Sequence, residues 1–274
     1  MADQRAKADA FKKLHSGPNI LMLPNAWDAA SATILEAAGF PAIASTSAGC
    51  AWTLGYPDGE AISRAEMADI VGRICRAVDI PVSADMEAGY GPRVEDVAET
   101  ARATIKAGAV GINIEDSTKG HASLHPIAEA AARIRAARKA ADETGIPLVI
   151  NARTDTFFPP LAKTHDAFAE AVKRAEAYRA AGADSIFVPF VTDGPTIKKL
   201  AGAIPRPINI LAQPDTPSLK ELQAMGVARV TVGGNISRSA YQAVRRAAEE
   251  LKTSGTFSFA KDAITHPELN KLLS

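Results

Sequence analysis

Eight short apolar runs punctuate the chain, each followed by a longer amphipathic stretch. The runs lie at 19–24 (NILMLP), 42–45 (AIAS), 80–85 (IPVSAD), 110–116 (VGINIED), 147–153 (PLVINAR), 185–190 (SIFVPF), 208–213 (INILAQ) and 227–234 (VARVTVGG). Short runs with few polar positions predict strands buried on both faces. Between them, DAASATILEAAG, VEDVAETARATIKAG and AFAEAVKRAEAYRAAG read as amphipathic helices. Each closes on a glycine (Gly39, Gly108 or Gly182), the residue that best accepts a left-handed C-terminal cap. Doubly buried strands alternating with helices demand parallel pairing through right-handed crossovers. Eight such units in 274 residues predict an α/β fold, a (β/α)8 TIM barrel. The opening MADQRAKADAFKKLHSG predicts an additional N-terminal helix, and residues 254–274 an extra C-terminal helical segment. No Pro-, Gly- or Ser-rich linker interrupts the pattern, so 1–274 reads as one domain. A doubly wound open sheet is the competing architecture. Against it, no run is followed by G-x-G-x-x-G or a P-loop, and Val232-Gly233-Gly234 alone is too little for a phosphate fingerprint.

Composition narrows the function classes. Lys plus Arg and Asp plus Glu number 31 each, so no basic excess exists to attract nucleic acid or an anionic membrane. No apolar run approaches the length of a membrane span, and the N-terminus lacks the apolar region of a signal peptide. The two cysteines, Cys50 and Cys75, lie in apolar surroundings and read as packing residues; a cytoplasmic location fits best.

In a TIM barrel, functional groups gather at the C-terminal ends of the strands. Those ends carry Ser45, Thr46 and Ser47 after the second run, Asp85 and Glu87 after the third, and Glu115 and Asp116 after the fourth. Asn151, Arg153 and Asp155 follow the fifth, Gln213 the seventh, and Gly233, Gly234 and Asn235 the eighth. Asp85 and Glu87 stand two apart, which on extended backbone aims both carboxylates to one face. With Glu115 from the neighbouring strand they form a self-repelling cluster that a hard divalent cation would neutralise. Mg²⁺ suits such donors, with Mn²⁺ as a substitute; no Cys/His spacing suits zinc. The plainer reading is that Glu115–Asp116 caps the next helix and Arg153 pairs with a nearby acid. It covers either feature alone better than all of them together.

The segments PNAWDAASA, AGFPAIASTSAG, ADMEAGYG, GINIEDS, NARTDTF, AGADSIFVP and VTVGGNISRSA, from about Pro24 to Ala240, resemble the isocitrate lyase/phosphoenolpyruvate mutase superfamily in order and content. The resemblance implies a Mg²⁺-dependent barrel acting on small oxo or hydroxy acids, with Asp85 as direct metal ligand and Glu87 and Glu115 holding metal-bound waters. It implies a further acid near the metal at Asp58, in GYPDGEA. Arg153 would bind the substrate carboxylate and its developing oxyanion, and Thr46 and Ser47 would grip the same carboxylate. It also implies a homo-oligomer, a tetramer or a dimer, that exchanges its C-terminal helix. One departure stands out. The K-K-C-G-H lid that carries the catalytic cysteine in the isocitrate and methylisocitrate lyases is here the shorter, cysteine-free EDSTKGHASLHPIAEAAARI.

These residues point to a Mg-dependent carbon–carbon lyase or decarboxylase of a small 2-oxo or 2-hydroxy dicarboxylate, oxaloacetate- or alkylmalate-like. Phosphorus–carbon chemistry, as in a phosphonopyruvate hydrolase or phosphoenolpyruvate mutase, is the alternative within the family, and would call for a more cationic lid than Lys119 provides. A non-catalytic 2-oxo acid binder is the alternative outside it. Cleavage of a malate-like substrate also needs a base. His121 and His125, in the short lid, are the candidates, each equally readable as a solvated loop histidine.

Overall fold

The computed structural model describes residues 2–205 and 207–274; Met1 of the opening segment and Arg206 lie outside the described residues. A first helix, α1 (Ala2–Leu14), precedes β1 (Leu21–Leu23), β2 (Asn25–Ala26), α2 (Ala29–Ala37), β3 (Ile43–Ser45), α3 (Ser47–Thr53), α4 (Arg64–Ala77) and β4 (Val82–Asp85). The middle of the chain forms α5 (Val94–Ala107), β5 (Gly111–Glu115), α6 (Ile127–Thr144), β6 (Val149–Arg153), α7 (Ala167–Ala180) and β7 (Ser185–Val188). Then follow α8 (Gly194–Ala203), β8 (Ile208–Leu211), α9 (Leu219–Ala224), β9 (Arg229–Thr231), the long α10 (Asn235–Thr253) and α11 (His266–Leu272).

All strand pairs are parallel, in the order β1-β9-β8-β7-β6-β5-β4-β3-β2. The eight expected staves are all present, and the ninth strand arises because Pro24 divides the first. Proline has no amide hydrogen to give the ladder. The stave therefore changes neighbour there: Leu21–Leu23 pair with Arg229–Thr231, while Asn25 and Ala26 pair with Ala44 and Ser45. Chain continuity through Pro24, whose carbonyl accepts from Ala44 N at 2.9 Å, joins the two edges into a nearly closed barrel. The Asn25 side chain ties the seam, donating to Ser45 O and accepting from the Val232 and Gly233 amides at 2.9 Å each.

The glycines read as helix stops take left-handed backbone at φ 88° (Gly39), 104° (Gly108) and 103° (Gly182). The helices pack alanine-rich faces on the staves, with Ala101, Ala137, Ala171 and Ala175 fully buried. Small side chains let the outer ring sit close to the sheet. The opening helix is more than an addition to this ring. Its Gln4 side chain donates to Ile105 O and Ala109 O, and its Phe11 is fully buried beneath the barrel. A Cβ on Gly111 would stand 2.6 Å from the Phe11 ring and 2.7 Å from Ser83 Oγ, so glycine is what admits the plug. No described helix is long and apolar enough to cross a membrane.

Candidate active site

The C-terminal ends of the staves open on a cleft of about 820 Å³ that contains Thr46, Ser47, Asp58, Asp85, His121 and Arg153. Each side chain arrives there for a local reason. Asp85 closes β4, and its amide donates to Ser45 Oγ on the neighbouring stave at 2.9 Å. Thr46 is the extended residue before α3, which places Ser47 at the helix start with an amide that no helical carbonyl can satisfy. That amide and the Ser47 hydroxyl both donate to Asp85 Oδ2, at 3.0 and 2.9 Å. The other oxygen, Asp85 Oδ1, is buried and has no hydrogen-bond partner. A buried anionic oxygen left bare is costly. A bound cation is the simplest way to satisfy it, and with carboxylates as the surrounding donors the site fits Mg²⁺.

Glu87 is placed differently from what strand periodicity suggests. The strand ends at Asp85, and Glu87 itself has left-handed backbone at φ 48°, followed by Gly89 at 100° and Tyr90 at 56°. Its buried carboxylate accepts from the Glu60 amide and from Tyr90 Oη at 2.8 Å. Burial, with Asp58 and Asp85 nearby, raises its pKa to about 7, although the Tyr90 hydroxyl pulls the other way. The turn is locked from below by the buried Arg133 of α6, whose guanidinium donates to Ala88 O and Gly91 O at 2.6 and 3.0 Å. Asp58 sits on the loop between α3 and α4, at the edge of the cleft. Loss of water there, and then the charge of Asp85, raise its pKa.

Glu115 and Arg153 end adjacent staves in register, and Arg153 Nη1 meets Glu115 Oε2 at 2.8 Å. Asp155 grips the same guanidinium through Nε at 2.6 Å and Nη2 at 3.2 Å. Phe187 and Phe190 lie against it, with ring centroids 5.9 and 5.8 Å from the guanidinium carbon. Burial works against the Arg153 charge, but Asp155, Glu115 and Asp85 outweigh it and hold the group firmly protonated. Burial raises Glu115 against the pull of Arg153. Asp155 is pushed up by burial too, yet Arg153 and His121 bring it down to about 2.

Asp116, next to Glu115, turns the other way and has a structural role. It accepts from the Asp155 amide, Arg174 Nη1 and Tyr178 Oη at 2.9, 3.1 and 2.6 Å. The two halves of the Glu115–Asp116 pair thus divide between cleft and scaffold.

The short lid brings in a residue that sequence reasoning left open. Ser117 bridges to Leu124, and the Thr118 amide donates to Ser123 O at 2.8 Å, which folds the lid into a tight turn. At its tip Gly120 and His121 have φ values of 72° and 53°. His121 Nδ1 lies 2.9 Å from Ser117 Oγ, 3.2 Å from Asp155 Oδ2 and 3.6 Å from Glu115 Oε1. The Asp155 hydrogen bond raises the imidazole pKa against its partial burial. Glu115, His121 and Asp155 could themselves hold a metal ion, since one ligand atom from each lies within 4.8 Å of the others. Ser117-Thr118-Lys119-Gly120-His121 matches K-K-C-G-H at its glycine and histidine, with Lys119 in the place of the cysteine, and this match marks His121 in the sequence. His125 instead pairs with Glu129 at 3.0 Å. Lys119 lines a separate hollow beside Tyr90 and Arg133. Cys50 is buried and Cys75 half-buried, both with thiol pKa values raised by burial, so neither offers a ready thiolate.

A family model described as phosphoenolpyruvate phosphomutase matches residues 11–252. The chain is 33% identical over 266 residues to a 2-methylisocitrate lyase of Bacillus subtilis (strain 168), covering 93% of this chain and 85% of that protein. A protein of Burkholderia cenocepacia J2315 described as a lyase/mutase superposes with a TM-score of 0.92 at 38% identity, over 99% of this chain and 96% of that one. A phosphonopyruvate hydrolase solved with oxalate and Mg²⁺ superposes at 0.85 with 25% identity, over 97% and 94%. With the family model covering most of the barrel, the chain is an enzyme of the isocitrate lyase/phosphoenolpyruvate mutase superfamily, a group of lyases and mutases.

Proposed function

We propose that the protein is a Mg²⁺-dependent lyase or decarboxylase of a small 2-oxo or 2-hydroxy dicarboxylate. The observation that carries this reading is the pairing, in one cleft, of a buried bare carboxylate oxygen on Asp85 with the largely buried Arg153 guanidinium. Asp85 would hold the ion directly, with Glu87 and Glu115 supporting it. Mg²⁺ would supply positive charge that polarises the 2-oxo group.

The chain's own residues supply the rest. Arg153 has five N–H donors, spends two in hydrogen bonds to Asp155 and sets Nη1 in an ion pair with Glu115, so the fork can still donate to a substrate carboxylate and to charge developing on the C2 oxygen. Its two acids and two aromatic neighbours fix its orientation, so little reorganisation is needed when that charge forms. Phe158, Phe187 and Phe190 line the same wall and exclude water from the reacting bond. His121 is held at Nδ1, which leaves Nε2 as the nitrogen to accept or donate a proton where a malate-like substrate requires it.

The test is a product assay with Mg²⁺ on oxaloacetate, 2-alkylmalates and 3-phosphonopyruvate. Pyruvate or another 2-oxo acid is expected from the first two, abolished by EDTA and inhibited by oxalate. Faster phosphate release from 3-phosphonopyruvate would move the reading to phosphorus–carbon cleavage. Lys119, outside the cleft, argues against that outcome. Tight oxalate binding without turnover of any substrate would mark a binder.

A further inference from the structure

We infer that the outer half of the cleft is a second anion subsite, formed by Arg238 and Arg245 of α10, and that it recognises a carboxylate remote from the group meeting Arg153. The inference rests on the reading of the inner cleft as a metal-dependent 2-oxo acid site.

Geometry is the first support. Arg238, Tyr241, Gln242 and Arg245 are spaced i, i+3, i+4 and i+7, so they form one stripe along the first turns of α10. All four border the same cleft as Asp85 and Arg153. Two glycines help to set the helix at this mouth. A Cβ on Gly49 would come within 2.7 Å of Trp27 and 3.1 Å of Ser237 Oγ, and one on Gly234 within 3.2 Å of the Trp52 ring. Trp52 in turn meets Tyr241 edge-on, with centroids 6.2 Å apart.

Charge is the second support. Inside the cleft the guanidinium of Arg153 is already matched by Glu115 and Asp155. A bound cation would be matched by Asp85 and its neighbours. A second carboxylate on the substrate would find no spare positive charge at that depth. Arg238 and Arg245 make no ion pair and no side-chain hydrogen bond among the described residues, and of the described carboxylates that line the cleft with them, Asp85 lies at the end of β4 and Asp58 on the exposed loop at the edge. Their guanidinium forks suit a carboxylate in shape as well as charge. The partial positive charge at the start of α10 adds to theirs. The cleft volume of about 820 Å³ also exceeds what a three- or four-carbon acid fills, leaving room for a chain that spans both halves.

Calorimetry in Mg²⁺ tests this with chain-matched probes. 2-Oxoglutarate and 2-oxoadipate carry the distal carboxylate; 2-oxopentanoate and 2-oxohexanoate lack it. Oxalate reports on the inner site alone. At low salt at least one dicarboxylate should bind about tenfold or more tighter than its match. The preference should shrink as salt is raised and fall towards unity in Arg238→Gln/Arg245→Gln, with oxalate affinity unchanged. Oxalate binding with no such preference, or a preference that survives the double substitution, overturns the subsite and leaves the inner reading standing. Failure of oxalate to bind would bring down the metal-site reading, and the distal subsite with it.

Discussion

At the scale of single residues, the cleft holds a buried carboxylate oxygen without a partner beside an arginine held by two acids. Asp85 keeps one oxygen bare, so Asp85→Ala should abolish Mg²⁺ binding by calorimetry while the circular dichroism spectrum stays native. Retained Mg²⁺ affinity would remove Asp85 from the metal. Arg153→Lys keeps the charge but loses the fork between Glu115 and Asp155. Turnover should fall by about a hundredfold or more, since lost transition-state hydrogen bonds commonly cost about 3 kcal/mol. Glu87 gives a pH prediction. Its folded pKa of about 7 means that below this pH the carboxyl takes up a proton which metal binding must expel. Mg²⁺ affinity should therefore weaken as pH falls through 7, and Glu87→Gln should flatten that part of the profile. Strand ends alone place Asp85, Glu115 and Arg153 at one rim, and the structure brings the three onto adjacent staves there. The orientation of Glu87 was not legible, because period two holds only while the strand lasts and the backbone turns left-handed two residues past Asp85. The position of His121 depends on a lid turn closed by hydrogen bonds to Ser123, and the seating of Arg133 on loop carbonyls is equally non-local.

At the scale of elements, α1 shows how a segment can be legible as a helix and illegible in purpose. Its Phe11 and His15 lie edge to face, 4.7 Å apart, under the barrel. His15 Nε2 faces the fully buried Arg229 of β9 at 3.4 Å. Burial, and then the Arg229 charge, lower the His15 pKa to about 4. An unfolded histidine titrates near 6.5. Between those values the unfolded chain binds the extra proton, so stability should fall as pH drops from about 6.5 to 4, by about 3 kcal/mol at most. Urea unfolding of the wild type across that range should show the slope, and His15→Phe should remove it. A slope unchanged in the variant would place the acid sensitivity elsewhere. Gly111→Val tests the same floor by volume. The added atoms meet Phe11 and Ser83, and overpacking of this kind costs about 1–3 kcal/mol.

At the scale of the whole molecule, the ring and its tail follow different rules. The ring satisfies itself: every stave has two neighbours, the first by changing partner at Pro24. The tail does not. Val244, on α10, and Phe257, after it, are 65% and 70% exposed, and Tyr241, Leu251, Phe259, Ile264 and Leu273 are exposed with them. So long an apolar edge favours association. Sedimentation should therefore give an oligomer, and Val244→Asp with Phe257→Asp should shift it towards monomer; an unchanged mass would exclude this edge as the interface. Sequence alone determined the architecture, since alternating buried runs and glycine-capped helices are local patterns that admit few parallel folds. It also determined which rim carries the acids, because strand ends can be counted. What only the tertiary structure decided is which atoms meet. The bare oxygen on Asp85, the two acids on Arg153 and the stripe of α10 at the cleft mouth each join residues distant in the chain. Such contacts follow from ring closure, and no local pattern encodes them.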